Sequence, residues 1–381
     1  MKKLALLFLG SPLLLIGCLR EPDLHLYEAA YTDIDLPDVE LSLEVYWDYE
    51  LSYGITYDWK AEWYYGWDEE DLQLFGEQGY VEPSSFNLRR YYTGSKAYGK
   101  HAYVLSDMVE GTTFHGRYEW GFWDILVWNN VSTLDGVQSL NFEEKGLEEV
   151  VAYTNPSMVR SRYQAPQFTR SFYAPELLFA AYDQAEQIDK DLSGFEFDAE
   201  RNVYVKRLDM LLLPVTYIYL TQVILHNNRG RITSCDGSAN LSGMARSVVL
   251  NTGISGSDAI TVYYNVRMKK DCKKNSELVD IVGGRLVTFG MCNQNANRIA
   301  KSAQVVDNQH HYMDVTMQFN NGMDSTFVFD VTDQVRERYK GGVLTVELDV
   351  DTIPIPQRSG GSGFNAVVKD VEDGGTYEFD M

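Results

Sequence analysis

Aromatic residues are concentrated in one stretch of this sequence, residues 46–67, and a run of acidic residues, 68–71, follows it directly. Flat rings and paired carboxylates are the groups that glycan binding and glycan hydrolysis use. Within the stretch, Trp59, Trp63 and Trp67 are therefore candidates for a surface on which sugar rings stack.

A packing role is the alternative for the same residues. Aromatic rings fill strand and loop cores, and acidic residues favour the start of a short helix, here over residues 68–75, where the helix dipole stabilises negative charge. Glu69 and Glu70 are consecutive, so they do not face one ligand from a helix or a strand. The sequence therefore favours packing over a glycan site, which stays the second hypothesis.

Motifs of other chemistries are missing from the sequence. It has no phosphate-binding Gly-x-x-x-x-Gly-Lys-Ser/Thr, no His-Glu-x-x-His zinc motif and no Gly-x-Ser-x-Gly nucleophile motif. His310 and His311 are adjacent and would point to opposite faces of a strand, and the acidic residues lack the spacing of a calcium-binding EF-hand. The sequence predicts a protein that is not an enzyme and holds neither metal nor cofactor.

The first residues have the order of a bacterial lipoprotein signal. Lys2 and Lys3 precede an apolar run over residues 4–16, and Gly17 precedes Cys18. The run is shorter than the ~20 residues of a membrane-spanning helix. Leu-Ile-Gly-Cys resembles a lipobox, in which the Gly–Cys bond is cleaved and the cysteine is acylated. We therefore expect attachment to a membrane through lipid on Cys18.

Charge and cysteine content narrow the partners further. Lys and Arg number 33 against 55 Asp and Glu, a formal net charge of −22, so a nucleic-acid partner is not expected. Cys235, Cys272 and Cys292 allow one disulfide in three pairings with one thiol left over, and none has zinc-site spacing. Free or weakly structural cysteines are the favoured interpretation.

Periodicity predicts mostly short strands. Alternation of apolar and polar residues predicts a half-buried strand from Val39, and the apolar centre of residues 121–130 predicts a strand buried on both faces. Asn321-Gly322 predicts a tight hairpin. Short helices are predicted over residues 332–339 and after Pro175.

These elements predict an all-β fold of two sandwich domains in tandem with a few short helices. The predicted organisation is, in order, a signal peptide over 1–17, a lipidated tether over 18–37, an N-terminal domain over 38–206, and a C-terminal domain over 207–381 that contains a linker at 354–363 and an acidic tail.

Several stretches are similar to a family of bacterial lipoproteins related to the minor fimbrium anchoring subunits, the fimbrillin-type proteins of the type V pilus class. The similar stretches are residues 41–50, 173–182, 241–250, 329–335 and 341–343. The resemblance implies two transthyretin-like β-sandwich domains behind a lipid anchor.

The same resemblance implies a role at the base of a fimbrium. An anchoring or accessory subunit would sit in the outer membrane, facing the cell surface, and would bind a stalk subunit by strand addition. The family's shared motifs are fold motifs, so Cys18 is the one site residue that the resemblance assigns. The aromatic stretch and the acidic tail have no role in that scheme, which leaves a lipid-anchored glycan-binding protein as the alternative.

Overall fold

The computed structural model describes these parts of the chain: residues 36–45, 59–66, 68, 70–71, 83–131, 139–147, 149–157, 170–295, 308–357, 365–368 and 377–379. The predicted signal peptide and Cys18 lie outside the described residues, as do Trp67 and most of the tether. The described chain is nearly all β-strand, which confirms the predicted fold class.

Eleven strands precede the connection at residues 215–216. They are β1 (Asp38–Val45), β2 (Ser85–Gly94), β3 (Tyr103–Glu110), β4 (Thr113–Arg117), β5 (Gly121–Asn129), β6 (Leu140–Lys145), β7 (Glu149–Thr154), β8 (Ser171–Tyr173), β9 (Phe179–Ile188), β10 (Glu196–Asp198) and β11 (Val203–Pro214). A four-residue helix, α1 (Trp59–Glu62), lies between β1 and β2.

The remaining strands follow β11 after a short connection. They are β12 (Tyr217–His226), β13 (Ile232–Ala245), β14 (Ser247–Val249), β15 (Ile254–Ser255), β16 (Ala259–Lys274), β17 (Glu277–Thr288), β18 (Tyr312–Phe319), β19 (Asp324–Asp330), β20 (Gly342–Asp349), β21 (Asn365–Val368) and β22 (Tyr377–Phe379). Helix α2 (Thr332–Glu337) lies between β19 and β20, close to its predicted position.

The first sandwich is one sheet that folds over on itself. Its strand order is β3-β2-β5-β9-β11-β1-β4, with β10 beside β11. The layers β3-β2-β5-β9 and β10-β11-β1-β4 enclose an apolar core that includes Leu41 of β1 and Trp123 of β5, both fully buried. The alternation predicted from Val39 places Val39, Leu41 and Leu43 on this core.

The second sandwich is built around one long strand. Residues 259–265 of β16 pair with β13, and residues 266–274 pair with β17, so β16 belongs to both layers. One layer is β20-β12-β17-β16 and the other continues β16-β13-β18-β19-β21-β22, with β8 beside β16. Two curled sheets thus form two sandwich-like units, as predicted.

A small third sheet joins the two sandwiches. Strands β6 and β7 of the first half pair with β14 and β15 of the second in the order β15-β14-β7-β6, which we call the bridging sheet. Tyr91 and Leu126 of the first sandwich belong to the same apolar core as Val150 of the bridging sheet and Leu241 of the second sandwich. The outer face of the first sandwich therefore packs, with the bridging sheet, against the core of the second sandwich.

Most predicted elements are confirmed, and one is wrong. Strand β5 is central and buried, and Asn321-Gly322 forms the β18–β19 turn with Gly322 at φ 77°. The helix predicted after Pro175 is instead strand β9, because residues 180–188 pair with β5 inside the first sheet. Tertiary pairing here overrides the local helix signal.

The predicted domain boundary, between residues 206 and 207, lies within β11. The chain passes from the first large sheet to the second between Pro214 and Tyr217. No helix in the described part of the chain is long and apolar enough to cross a membrane.

Candidate binding surface

Strands β9 and β11 meet at one end and then separate. They pair through Leu213 with Ala180 and through Pro214 with Phe179. Beyond that point β9 pairs with β5 and β11 pairs with β1, while β10 covers the start of β11 at residues 203–205. Among the described residues, 181–188 of β9 and 206–212 of β11 thus have a strand partner on one side alone. We call these two segments the open side of the first sandwich.

One ion pair crosses the open side. The Lys206 ammonium on β11 bonds the Glu186 carboxylate on β9, and it also donates to the Gln187 carbonyl oxygen at 2.9 Å. The two paired side chains are 24% and 17% exposed, so both charges are largely removed from water. The ion pair links the separated edges of β9 and β11.

Apolar side chains accompany the unpaired backbone. Leu208 of β11 and Ala181 of β9 are half-buried against the core of the first sandwich. Leu211 is 48% exposed, and the rings of Phe197 and Tyr204 lie 5.1 Å apart near the start of β11 with about half of each exposed. Unpaired strand edges with exposed apolar side chains are the features that strand addition uses.

A charged network secures the place where the predicted tether joins the fold. Asp38, the first residue of β1, is 2% exposed and accepts from the Arg201 guanidinium. His115 Nδ1 lies 3.4 Å from the same carboxylate and His115 Nε2 lies 3.5 Å from Glu40. The network ties β1 to β4 and to the β10–β11 turn.

The three tryptophans predicted as glycan-binding candidates differ in what the structure describes of them. Trp63 is 2% exposed, stacks on Tyr65 at 5.6 Å and donates from Nε1 to the Gly66 carbonyl oxygen at 2.9 Å. Its ring is part of an apolar cluster on the outer face of the second sandwich, as the packing alternative requires. Trp59 belongs to α1, and Trp67 lies outside the described residues.

Metal-binding side chains and the adjacent histidines were the remaining features to locate in the described part of the chain. No group of three or more His, Cys, Asp or Glu side chains there is placed to hold a metal ion. His310 is exposed, whereas His311 is fully buried with Nδ1 3.1 Å from the Ser242 carbonyl oxygen, so the two adjacent rings lie in different environments.

Residues 94–100 read Gly-Ser-Lys-Ala-Tyr-Gly-Lys, which matches the first seven positions of a phosphate-binding loop. His101 follows in place of Ser or Thr, and the segment connects β2 to β3 instead of leading into a helix. A phosphate-binding loop needs that helix, so the match carries no phosphate site.

No disulfide joins Cys235, Cys272 and Cys292 to one another in this structure. Burial raises the pKa of Cys272 to about 11, and the nearby Lys269 lowers it by less. A thiol with such a raised pKa is a poor nucleophile, so Cys272 acts as a core residue.

Comparison with known proteins identifies likenesses of fold. No family model matches the chain and no curated protein matches it. A structure from Bacteroides ovatus described as that of an adhesin has a TM-score of 0.48 and 12% identity, covering 84% of this chain and 95% of the other. The fimbrial anchor protein Mfa2 from Porphyromonas gingivalis has a TM-score of 0.39 and 10% identity, covering 90% and 95%.

The tip fimbrial protein Mfa3 from Porphyromonas gingivalis, with a C-terminal truncation, has a TM-score of 0.31 and 7% identity, covering 90% of this chain and 99% of the other. Two of these three structures are of fimbrial proteins, an anchor and a tip protein. Identities and scores this low assign no function to the chain.

Proposed function

We propose that the protein is an outer-membrane lipoprotein, exposed at the cell surface, that anchors a fimbrium or serves it as an accessory subunit. The lipobox-like residues before Cys18 and the sequence stretches similar to fimbrium anchoring subunits support this proposal. The net charge of −22 argues against nucleic acid as a partner. In this role the protein is a binding module without catalytic activity.

The observation that carries the proposal is the open side of the first sandwich. Residues 206–212 present one edge of β11 that no described strand covers, and residues 181–188 present the facing edge of β9. A strand from a stalk subunit inserted here gains backbone hydrogen bonds from either edge, while alternate side chains contact Leu208 and Ala181.

The position of the open side suits an anchor. Val39 pairs with Lys206, so the uncovered part of β11 begins beside the residues where the predicted tether enters the fold. The Asp38–Arg201 ion pair lies at the same end of β1. A stalk strand bound along β11 is therefore linked to the membrane through β1, its hydrogen-bonded neighbour.

Photo-cross-linking in bacteria tests the proposal. A photo-reactive residue is placed at Leu208 on the open side, and a matched one at Met108, which is 60% exposed on the edge strand β3. We expect the Leu208 variant to cross-link the stalk subunit in the membrane fraction and the Met108 variant not to. Cross-links from Met108 alone would show that the stalk subunit binds at β3 and not at the open side, which contradicts the proposal. An absence of cross-links from both positions would also refute strand addition at the open side.

A further inference from the structure

An aromatic segment of the first half of the chain lies on the second sandwich. Strands β1 and β2 both belong to the first sandwich, yet residues between them, 62–66 with Asp71, lie on the outer face of β12, β17 and β20. We call the described residues of this segment, 62–66, 68, 70 and 71, the strap. The chain therefore leaves one sandwich, covers part of the other, and returns.

The strap is bound through its backbone by one buried side chain. Gln222 of β12 is fully buried; its Oε1 accepts from the Tyr64 backbone N–H at 3.0 Å, and its Nε2 donates to the Glu62 carbonyl oxygen at 2.7 Å. The Gln222 carboxamide thus bonds a backbone carbonyl and a backbone N–H that are two residues apart. A neighbouring strand would offer the same pair of hydrogen bonds to an extended segment. Gln222 thus recognises an extended chain whatever its side chains.

Side-chain contacts add sequence preference. Trp63 and Tyr65 are each 2% exposed, whereas Tyr64 between them is half-buried, the alternation of a bound extended peptide. The Tyr65 ring lies directly on Gly283 of β17, where an added Cβ would be 2.4 Å from ring atom Cδ2. The face is shaped for an aromatic side chain at that position.

Cations on the second sandwich hold the two ends of the strap. Lys269 Nζ lies 2.5 Å from the carboxylate of Asp71, which is 4% exposed, and 5.4 Å from the centre of the Tyr65 ring. At the other end, Arg338 Nη2 lies 3.2 Å from Glu62. An acidic, aromatic peptide is therefore complementary to the face in charge as well as shape.

We propose that this face of the second sandwich is a peptide-binding site, filled in this structure by the chain's own strap, and that the strap of a second copy takes the same place to form a strap-exchanged dimer. The peptide that fits the face is carried by every copy of the chain. Exchange preserves each contact of the closed form, which is why swapping of identical elements costs little.

In the sequence, residues 46–58 lie between β1 and α1, and residues 72–82 follow the strap. At about 3.3 Å per residue, segments of these lengths span tens of ångströms when extended, enough to reach a neighbouring molecule. The inference does not depend on the proposed function, since the open side belongs to the first sandwich.

A complementing pair of full-length variants, purified in detergent with different tags, tests the exchange. One copy carries Tyr65→Ala, which weakens its strap but keeps its binding face. The other carries Gly283→Val, which blocks its face but keeps its strap. We expect the mixture to co-purify about tenfold more than either variant paired with itself, an advantage of ~1.4 kcal/mol.

Controls separate the proposal from misfolding and from the fimbrial role. A labelled peptide of residues 59–71 should bind the Tyr65→Ala protein, and the peptide with Ala at positions 63 and 65 should not. If both proteins melt cooperatively but neither the mixture associates nor the peptide binds, the exchange is refuted. Cross-linking of a stalk subunit at Leu208 should be unchanged in the Gly283→Val variant.

Discussion

Lys206 on β11 and Glu186 on β9 form an ion pair across the side of the first sandwich where these two strands have separated. The pair stands where backbone pairing is missing among the described strands. An inserted strand must pass between the two side chains, so the same contact that stabilises the free protein opposes insertion.

Removing one partner of this pair should cost more than removing both. We expect Lys206→Met to lower the free energy of unfolding by about 1–3 kcal/mol, because Glu186 is left as a largely buried, unpaired charge. The double variant with Glu186→Gln should recover part of that loss, giving a coupling energy of ~0.5–3 kcal/mol in urea unfolding. Additive losses would show that the pair contributes nothing.

Trp63→Ala should destabilise the protein by about 3–5 kcal/mol, because the ring is buried in the strap contact and its removal leaves a cavity. Tyr98→Ala, at a side chain 73% exposed, is the matched control and should change stability by less than ~0.5 kcal/mol. Thermal melts check both. A stable Trp63→Ala protein that loses a glycan-array signal would instead support the glycan-binding alternative.

Cys272 should react slowly with iodoacetamide. Burial raises its pKa from 9.0 to about 11, which lowers the thiolate fraction at pH 8 by about 100-fold. Mass spectrometry of labelled peptides measures the rate. The Tyr65 carbonyl oxygen lies 3.9 Å from the sulfur, so Tyr65→Ala, which loosens the strap, should speed labelling. Equal rates in both proteins would contradict the covering role of the strap.

Protonation of Glu347 should lower the stability of the protein in acid. Burial alone raises its pKa, but hydrogen bonds from Lys274 and His226 outweigh that effect and hold the pKa below its ordinary value of 4.5. Its contribution is therefore present above pH 4.5 and is lost as pH falls through the lower folded-state pKa. The side chain is 49% exposed, so the effect is under ~1 kcal/mol. Between pH 3 and pH 6, the denaturant midpoint should change less with pH in the Glu347→Gln variant than in the unchanged protein.

Cys18→Ala should release the protein from membranes and leave its fold intact, because Cys18 precedes β1 and the tether is predicted to add nothing to the folded core. Fractionation after a salt wash, with circular dichroism of the released protein, checks this. Retention of the variant in the membrane fraction would contradict the lipid-anchor prediction.

Local patterns in the sequence predict the strands well where local chemistry decides them. The apolar run over residues 121–130 and the Asn321-Gly322 turn each specify their element within a few residues. Pro175 misleads, because a proline before Glu176 and an apolar run is typical of a helix start, while pairing with β5 decides the outcome.

The open side and the bridging sheet are relations between distant segments, and periodicity carries no information about them. What distinguishes residues 181–188 and 206–212 is the strand partner that each lacks among the described strands, and no local pattern reports it. The burial of Trp63 agrees with the packing hypothesis, yet nothing local places it on the second sandwich.

The bridging sheet also dictates an order of folding. Strand β7 pairs with β14, so residues 149–154 wait for residues 247–249 before their sheet is complete. Until then the outer face of β2 and β5, with Tyr91 and Leu126, stays uncovered. A chain that emerges from its N-terminus therefore completes the strands of its first sandwich before residues 247–249 are available, but not the bridging sheet. We expect the outer face of the first sandwich to gain stability only when the second half of the chain has folded.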